Sequence, residues 1–370
     1  MKILQTIKYY DPSKGGMESV AKNIVDGVIE NSNDVEFVVY ANNHYSSFKK
    51  IYNRNNRVES IKESTPLILK SQPLSLGYPL LARLISSSDV VHHHYPFPNM
   101  ELALLRYQNL LMDKKFIITW HANINNSRWG WIGKAYNPLV KKLLDLASDV
   151  IVTSPQLAES SDILAHYLEK VSVVPLSFDP ILNNNGGIPR SYPINRKFRL
   201  LFVGKLRSYK GIIFLLEAVK DLDVELYIVG DGEDRQLLVN KTKEINANHK
   251  VFFKSGLTDE QVAAIYQECD LFILPSINEA EAFGIVQLEA MSNGLPVINT
   301  SLKSGVPFVS LDSFSGLTVE AGNSEKLKNA INTIINSKEL YETYSSNAII
   351  RSKDFTREKM AKAYLNIYQS

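Results

Sequence analysis

Short apolar runs alternate along the chain with longer segments in which apolar residues recur every three or four positions. The runs KILQTI, VEFVVYA, DVVHHHY, KFIITWH, DVIVTS and VSVVPL predict strands in the first half. In the second half FRLLFVG, VELYIVG, KVFFKSG, DLFILPS, LPVINT and SGLTVE predict another set. Between them, segments such as MESVAKNIVDGVIE and QVAAIYQECD carry helical periodicity. Strands apolar on both faces, alternating with helices, point to parallel sheets covered on both sides.

The series breaks at ILNNNGGIPRSYPINRK, Ile181 to Lys197, a segment rich in Asn, Gly and Pro between two complete sets of strand–helix units. The pattern predicts an α/β chain of two doubly wound, Rossmann-like domains facing across a cleft. The first covers residues 1–185 and the second residues 186–355, with a last helix over 356–370 placed to cross back onto the first. A length of 370 residues accommodates two domains of ordinary size.

Composition then narrows the partners. With 45% hydrophobic and 22% charged residues, the chain has the balance of a soluble globular protein. A net charge of +2 argues against a nucleic-acid partner, which needs a broad basic field. Cys269 is the single cysteine, so no intramolecular disulfide forms, which fits a reducing compartment; within YQECDLFIL it reads as packing. No stretch approaches the roughly 20 apolar residues of a membrane span, and MKILQTIKYY lacks the features of a signal peptide. A cytoplasmic protein is expected, with docking on the inner face of the cell membrane as the exception. The candidate for that contact is NSRWGWIGKAYNPLVKKLL, residues 126–144, which mixes Trp129, Trp131 and Tyr136 with Arg128, Lys134, Lys141 and Lys142. A core helix with a solvated basic face is the alternative.

Several stretches carry candidate chemistry. VGDGED has Arg235 where a dinucleotide fingerprint needs its third glycine, which argues against a hydride-transfer enzyme. In DPSKGGMESVAKNI, Gly15 and Gly16 precede a helix, where backbone amides favour an anion. An ordinary loop-to-helix turn with Glu18 in the first turn is the other reading. In LLFVGKLRSYKGIIFLLEAV, the cations Lys205, Arg207 and Lys210 lie between a strand end and a helix start, which suits a diphosphate as well as a solvated loop. In SINEAEAFGIVQLEAM, Glu281 falls in a strand-to-helix turn and Glu289 in the helix expected from Ile285. A buried carboxylate without a partner is costly. The two therefore point to hydroxyl donors such as a ribose diol or a sugar ring, with compensation of helix N-terminal charge as the alternative. Adjacent strand residues face opposite sides, so His92, His93 and His94 make a poor ligand set and no metal is assigned.

Taken in order, the glycine pair with its glutamate, VGKLRSYKG, VGDGED, FKSGLTDEQVAAIYQECDLFILPS, EAFGIVQLEAM and GLPVINT resemble the retaining glycosyltransferases of family 4, which have the GT-B fold. The resemblance spans essentially the whole chain and is strongest from Phe198 to Glu320. It implies that Glu289 holds the ribose of a nucleotide-sugar donor and that Glu281 meets the donor sugar near its reacting end. The turn Ala282, Phe283, Gly284, Ile285 and Val286 would line the donor, its amides from Phe283 onward meeting sugar and diphosphate. Lys210 and a basic neighbour would bind the diphosphate, with Gly15 and Gly16 covering it from the first domain. Leu257, in FKSGLT, would lie by the nucleotide base. His121, in IITWHANI, would lie close to the donor sugar, a satisfied strand-end histidine being the alternative. Lys210, Glu281 and His121 are the expected catalytic groups. The family commonly has arginine where Lys205 stands, which leaves Lys205 and Arg207 both open as the phosphate ligand. HYPFP, TWHANI and LRSYKG further resemble bacterial mannosyltransferases that extend lipid-linked O-antigen or exopolysaccharide units. That implies GDP-mannose as donor, with a UDP-sugar as alternative, a lipid-linked saccharide as acceptor, retention, and no metal or other cofactor. A non-catalytic nucleotide-sugar-binding subunit is the reading from another class; Glu281, Glu289 and Lys210 together argue against it.

Overall fold

The structure is a computed structural model that describes residues 1–13, 15–45, 47, 50–69, 72–75, 77–123, 130–178 and 187–370. The chain forms two compact units, Met1–Ser177 with Arg357–Ser370, and Phe178–Thr356.

The first unit is built on an eight-stranded sheet. In chain order its strands are β1 (Lys2–Thr6), β2 (Glu36–Asn42), β3 (Ile51–Asn55), β4 (Val58–Glu63), β7 (Val90–Tyr95), β8 (Lys115–Trp120), β9 (Asp149–Val152) and β10 (Val171–Val173). A separate antiparallel hairpin supplies β5 (Leu67–Leu69) and β6 (Gln72–Leu74). The sheet order is β10-β9-β8-β7-β1-β2-β4-β3. Successive residues along the central strands enter different cores: Ile3, Phe37 and Ile117 one, Leu4, Val38 and Ile118 the other. Both faces are thus covered, as continuous apolar strands require.

The pair β3–β4 is antiparallel and has no counterpart among the expected strands. Residues 52–55 of β3 are exposed, and the edge position tolerates a polar sequence. In β4, VESIKE buries two charged residues, Lys62 and Glu63, so it shows no apolar run. Glu63 is matched by the Tyr40 hydroxyl at 2.6 Å and the Lys50 ammonium at 3.0 Å.

The helix Arg357–Gln369 is part of this first unit and packs on the helix Gly16–Asn31. Its Met360, Ala361, Tyr364, Leu365 and Tyr368 join the core beneath that helix. The Tyr368 hydroxyl meets His92 Nδ1 at 2.8 Å, and the Tyr364 hydroxyl meets Thr119 Oγ1 at 3.1 Å.

The second unit has a six-stranded, wholly parallel sheet: β11 (Phe198–Val203), β12 (Val224–Val229), β13 (Val251–Lys254), β14 (Leu271–Ile273), β15 (Val297–Thr300) and β16 (Gly316–Val319). Its order is β13-β12-β11-β14-β15-β16. The chain therefore proceeds from β11 in one direction to β12 and β13, then returns to the other side of β11 for β14. In open α/β sheets, ligands bind outside the carboxyl ends of strands at such a reversal. The units divide at Ser177/Phe178 and Thr356/Arg357, against the expected 185/186 and 355/356. The Phe178 amide already donates to the Phe355 carbonyl at 3.2 Å, so the chain joins the second unit ahead of the Asn- and Gly-rich segment. Residues 181–186 of that segment lie outside the described residues. Among the described residues, no helix is long and apolar enough to cross a membrane.

Tyr368→Ala removes a buried ring and its hydroxyl. It should destabilise the first unit by about 3–5 kcal/mol, the usual loss for a buried aromatic truncated to alanine. Hydrogen exchange should show lost protection in Met1–Ser177 and none in the second unit.

Candidate functional site

The loops that follow β11, β12 and β13 border an open pocket of about 350 Å³, lined by Gly204, Lys205, Gly230, Asp231, Ser255 and Leu257 among others. The Leu206 amide donates to the Asp231 carbonyl at 3.0 Å and holds the first two loops together. Lys205 thus faces the pocket. Arg207 is exposed and leans toward Glu233, 3.9 Å away. Of the two candidate phosphate ligands, the structure places Lys205 at the pocket wall.

Lys210 ends the short turn Ser208–Lys210 and is nearly buried. Gly211 then turns the chain into the helix Ile212–Val219 at φ 66, a conformation that suits glycine. A Cβ there would also lie 2.0 Å from the Pro275 carbonyl oxygen. Backbone therefore meets backbone, and the Ile277 amide donates to the Tyr209 carbonyl at 2.8 Å. The loop after β11 is docked in this way on the loop after β14.

At that junction Lys210 Nζ lies 2.5 Å from Glu281 Oε2, and the Ser276 hydroxyl donates to the same oxygen at 3.0 Å. Lys210 is 8% exposed and Glu281 7%. Their motifs imply separate ligands for these two residues; the structure makes them each other's counter-ion at the sheet's reversal point. In a low-dielectric setting their attraction is strong, yet it must offset the desolvation of both charges. Glu281 Oε1 receives no hydrogen bond among the described residues.

Glu289 sits in the helix Val286–Ser292, which starts one residue later than expected. The Tyr266 hydroxyl donates to Glu289 Oε2 at 2.7 Å. Burial raises the Glu289 carboxyl above its ordinary range; the bond from Tyr266 opposes the rise and the charge of Asp259 adds to it. Tyr266 belongs to the helix Asp259–Glu268, started by a capping box between Thr258 and Gln261. In QVAAIYQECD it reads as a core aromatic. The one available signal was that a buried tyrosine hydroxyl needs a partner.

Between the carboxylates, Ala282 is exposed, Phe283 is buried, and Gly284 turns at φ 73. Among the described residues, the amides of Phe283, Gly284, Ile285 and Val286 have no acceptor. Buried amide side chains brace this turn. Gln287 Nε2 donates to the Phe283 carbonyl at 3.3 Å, and Asn299 Nδ2 donates to Gln287 Oε1 at 2.9 Å. The Gly305 amide donates to the Ala282 carbonyl at 2.7 Å. Neither Gln287 nor Asn299 stands out along the chain as a candidate for such a brace. The second unit thus offers cations and free amides for an anion, and two carboxylates for hydroxyl donors.

In the first unit, Gly15 is extended and precedes the helix Gly16–Asn31. A side chain at Gly15 would meet the Glu18 carboxylate, 2.2 Å from the Cβ position. His121 follows β8, its amide donating to the Tyr95 carbonyl at 3.1 Å and its Nε2 lying 2.8 Å from His94 Nδ1. Burial, then the neighbouring imidazoles, push His92 and His121 down to about 3 and His94 well below its ordinary value. His93 faces the other way, toward Thr6 Oγ1 at 2.9 Å and Glu101. Of the basic-aromatic segment, residues 126–129 lie outside the described residues, Trp129 and Arg128 among them. In the later part of the helix Gly130–Leu146, Val140, Leu143 and Leu144 are buried while Lys141 and Lys142 are exposed.

Residues 14–180 match the protein family described as Glycosyltransferase Family 4, and residues 188–351 match the one described as Glycosyl transferases group 1. The chain is 26% identical to the O-antigen chain mannosyltransferase C of Escherichia coli, over 100% of this chain and 98% of that relative. It is 28% identical to the D-rhamnosyltransferase WbpZ of Pseudomonas aeruginosa, over 72% and 70% of the two chains. Among solved structures, the sucrose-phosphate synthase of Thermosynechococcus elongatus superposes with a TM-score of 0.73 at 18% identity, covering 100% of this chain and 98% of that one. Anabaena Alr3699/HepE, solved in complex with UDP, gives 0.72 at 19% identity and covers both chains fully.

Breaking the buried pair from one side should be costly. Lys210→Met or Glu281→Leu alone should each destabilise the second unit by about 3–5 kcal/mol, the range for an orphaned buried charge. The double variant should lose less than either single change, which urea titrations of all four proteins would read. Glu289 carries a pH signature. A carboxyl raised on folding binds its proton more tightly in the folded state, so stability falls as pH rises from the ordinary glutamate value through the raised one. Glu289→Gln keeps an oxygen for Tyr266 and should remove that slope, gaining stability relative to the natural protein at neutral pH but not at pH 4.

Proposed function

We propose that this chain, a glycosyltransferase of GT-B type with a Family 4 region followed by a group 1 region, transfers mannose from GDP-mannose to a hydroxyl of a lipid-linked saccharide in surface-polysaccharide assembly. The observation that carries the reading is the buried Lys210–Glu281 pair at the reversal point of the second sheet. The full-length likeness to an O-antigen chain mannosyltransferase supports the sugar and the class of acceptor. The D-rhamnosyltransferase likeness supports D-rhamnose as a second reading for the sugar.

In this reading the donor's diphosphate enters beside Lys205 and draws Lys210 away from Glu281. The two ammonium groups and the free amides of the turn after Phe283 then hold the departing phosphate, the charge stabilisation a metal ion supplies in other enzymes. Glu281, released from its counter-ion, meets the sugar where positive charge develops. Glu289 accepts from the ribose diol while Tyr266 holds its other oxygen. Leu257 and its neighbours receive the base through backbone atoms, and Gly15, Gly16 and His121 are further proposed donor contacts. The bond from the anomeric carbon to the phosphate oxygen breaks as the acceptor oxygen bonds on the same face. The leaving phosphate takes the acceptor proton, so configuration is retained and neither a nucleophilic side chain nor a metal is required. Residues 126–144 are the proposed contact with the membrane surface that carries the acceptor.

A screen of GDP-mannose, GDP-rhamnose and UDP-sugars, followed by turnover with lipid-linked acceptors, tests the reading. Slow donor hydrolysis without acceptor separates an enzyme from a binding subunit, which should release no sugar. Lys210→Ala should lower turnover at saturating donor by at least about 10- to 100-fold, since a hydrogen bond to a charged group is worth roughly 1.5–3 kcal/mol. Near-normal turnover would remove Lys210 from the mechanism. Glu289→Gln should mainly raise the donor KM, because the ribose does not change in the reaction, whereas Glu281→Gln should mainly lower kcat. Equal effects of the two on KM would reverse or cancel the assignment.

A further inference from the structure

His121 and His94 meet nitrogen to nitrogen, His94 Nδ1 to His121 Nε2 at 2.8 Å. Their ring planes are 17° apart and their centroids 5.1 Å apart. With the nitrogens so close, that centroid distance sets the rings edge to edge, and the contact is an in-plane N–H···N hydrogen bond. Burial keeps both rings neutral at physiological pH. Each therefore carries one proton, on one of its two nitrogens.

Two arrangements satisfy the contact. In one, His121 Nε2–H donates to His94 Nδ1, and the proton of His94 sits on its own Nε2. In the other, His94 Nδ1–H donates to His121 Nε2, and the proton of His121 sits on Nδ1. The environment of His94 separates them. Its Nε2 is buried and has no hydrogen-bond partner among the described residues. The first arrangement leaves an N–H donor unpaired there, whereas the second leaves only a lone pair. Orphaned buried N–H groups are rare and costly in folded proteins.

The adjacent His92 offers no relief, because both of its nitrogens are engaged. Tyr368 occupies Nδ1 at 2.8 Å and Thr119 occupies Nε2 at 2.7 Å. Thr119 is held in turn by Tyr364 at 3.1 Å. His94 packs on this fixed ring at a centroid distance of 4.5 Å. The C-terminal helix thus supplies, through its two tyrosines, a rigid backing for the pair.

We infer that His94 is a positioning residue that holds His121 in its Nδ1–H tautomer and so makes the free nitrogen of His121 a neutral hydrogen-bond donor and not a base. Among the described residues that nitrogen has no hydrogen-bond partner, and it is not one of the fully buried unpaired atoms. It is suited to an uncharged oxygen acceptor such as a sugar hydroxyl, and with its proton already in place it does not abstract another. The inference rests on the proposed role of His121 at the donor sugar, but the tautomer itself is observable without any turnover.

The test is a long-range proton–nitrogen correlation spectrum of histidine-labelled protein near pH 7. The expected pattern for His121 is a protonated, pyrrole-type Nδ1 and an unprotonated, pyridine-type Nε2, with His94 showing the same. The opposite pattern at His121, or two protonated nitrogens, would overturn the inference. In His94→Phe, His121 loses its donor and should move toward the Nε2–H pattern, with kcat falling roughly tenfold, about one neutral hydrogen bond, and donor KM little changed. In His94→Asn, the side-chain amide replaces the donor and should recover most of both the pattern and the activity. A His121 pattern unchanged by the phenylalanine would also overturn it. Should transfer prove insensitive to His121→Ala, the proposed role of His121 fails while the tautomer readout stands by itself.

Discussion

Lys210 and Glu281 hold opposite charges 2.5 Å apart, both almost wholly out of water. Neither would be stable there alone, because an unpaired buried charge carries a penalty far above that of an ordinary polar group. The architecture of the second unit brings them together. The strand order puts the ends of β11 and β14 side by side, and the contact of Gly211 with the Pro275 carbonyl brings their loops to backbone distance. Ser276 adds a third polar group to the same carboxylate oxygen. The braced turn from Ala282 to Val286 then carries the chain on to Glu289, so the position of the second carboxylate follows from that of the first.

Such a pair is poised for exchange. An anion that reaches Lys210 replaces one counter-ion with another, so the ammonium is never left without a partner. In the proposed reading, Glu281 is then freed to meet the sugar that the anion carries. Glu289 has a different task in the proposed reading. Its bond from Tyr266 fixes one oxygen and leaves the other, which suits constant recognition of a neutral diol. In the first unit, burial keeps His92 and His94 of β7, and His121 after β8, uncharged.

Much of this was legible along the chain because the central strands are apolar on both faces and their runs stand out. The edge strands β3 and β4 were not, since one is exposed and the other buries Lys62 and Glu63. The turn around Gly284 was readable from its glycine and its flanking carboxylates. The partnership of Lys210 with Glu281 was not, because the two lie 71 residues apart and only the strand order makes them neighbours. Spacing left Lys205 and Arg207 equivalent, and only the pocket wall separated them. Tyr266, Gln287, Asn299 and His94 act through side-chain hydrogen bonds to distant residues, which hydrophobic periodicity does not encode.

A crystal structure of the complex with GDP tests the proposed change of partner at Lys210 most directly. The expected complex has Lys210 Nζ within hydrogen-bond distance of a phosphate oxygen, its contact with Glu281 lengthened or lost, and the ribose hydroxyls on Glu289. An intact Lys210–Glu281 pair at 2.5 Å, with the diphosphate bound elsewhere, would contradict it.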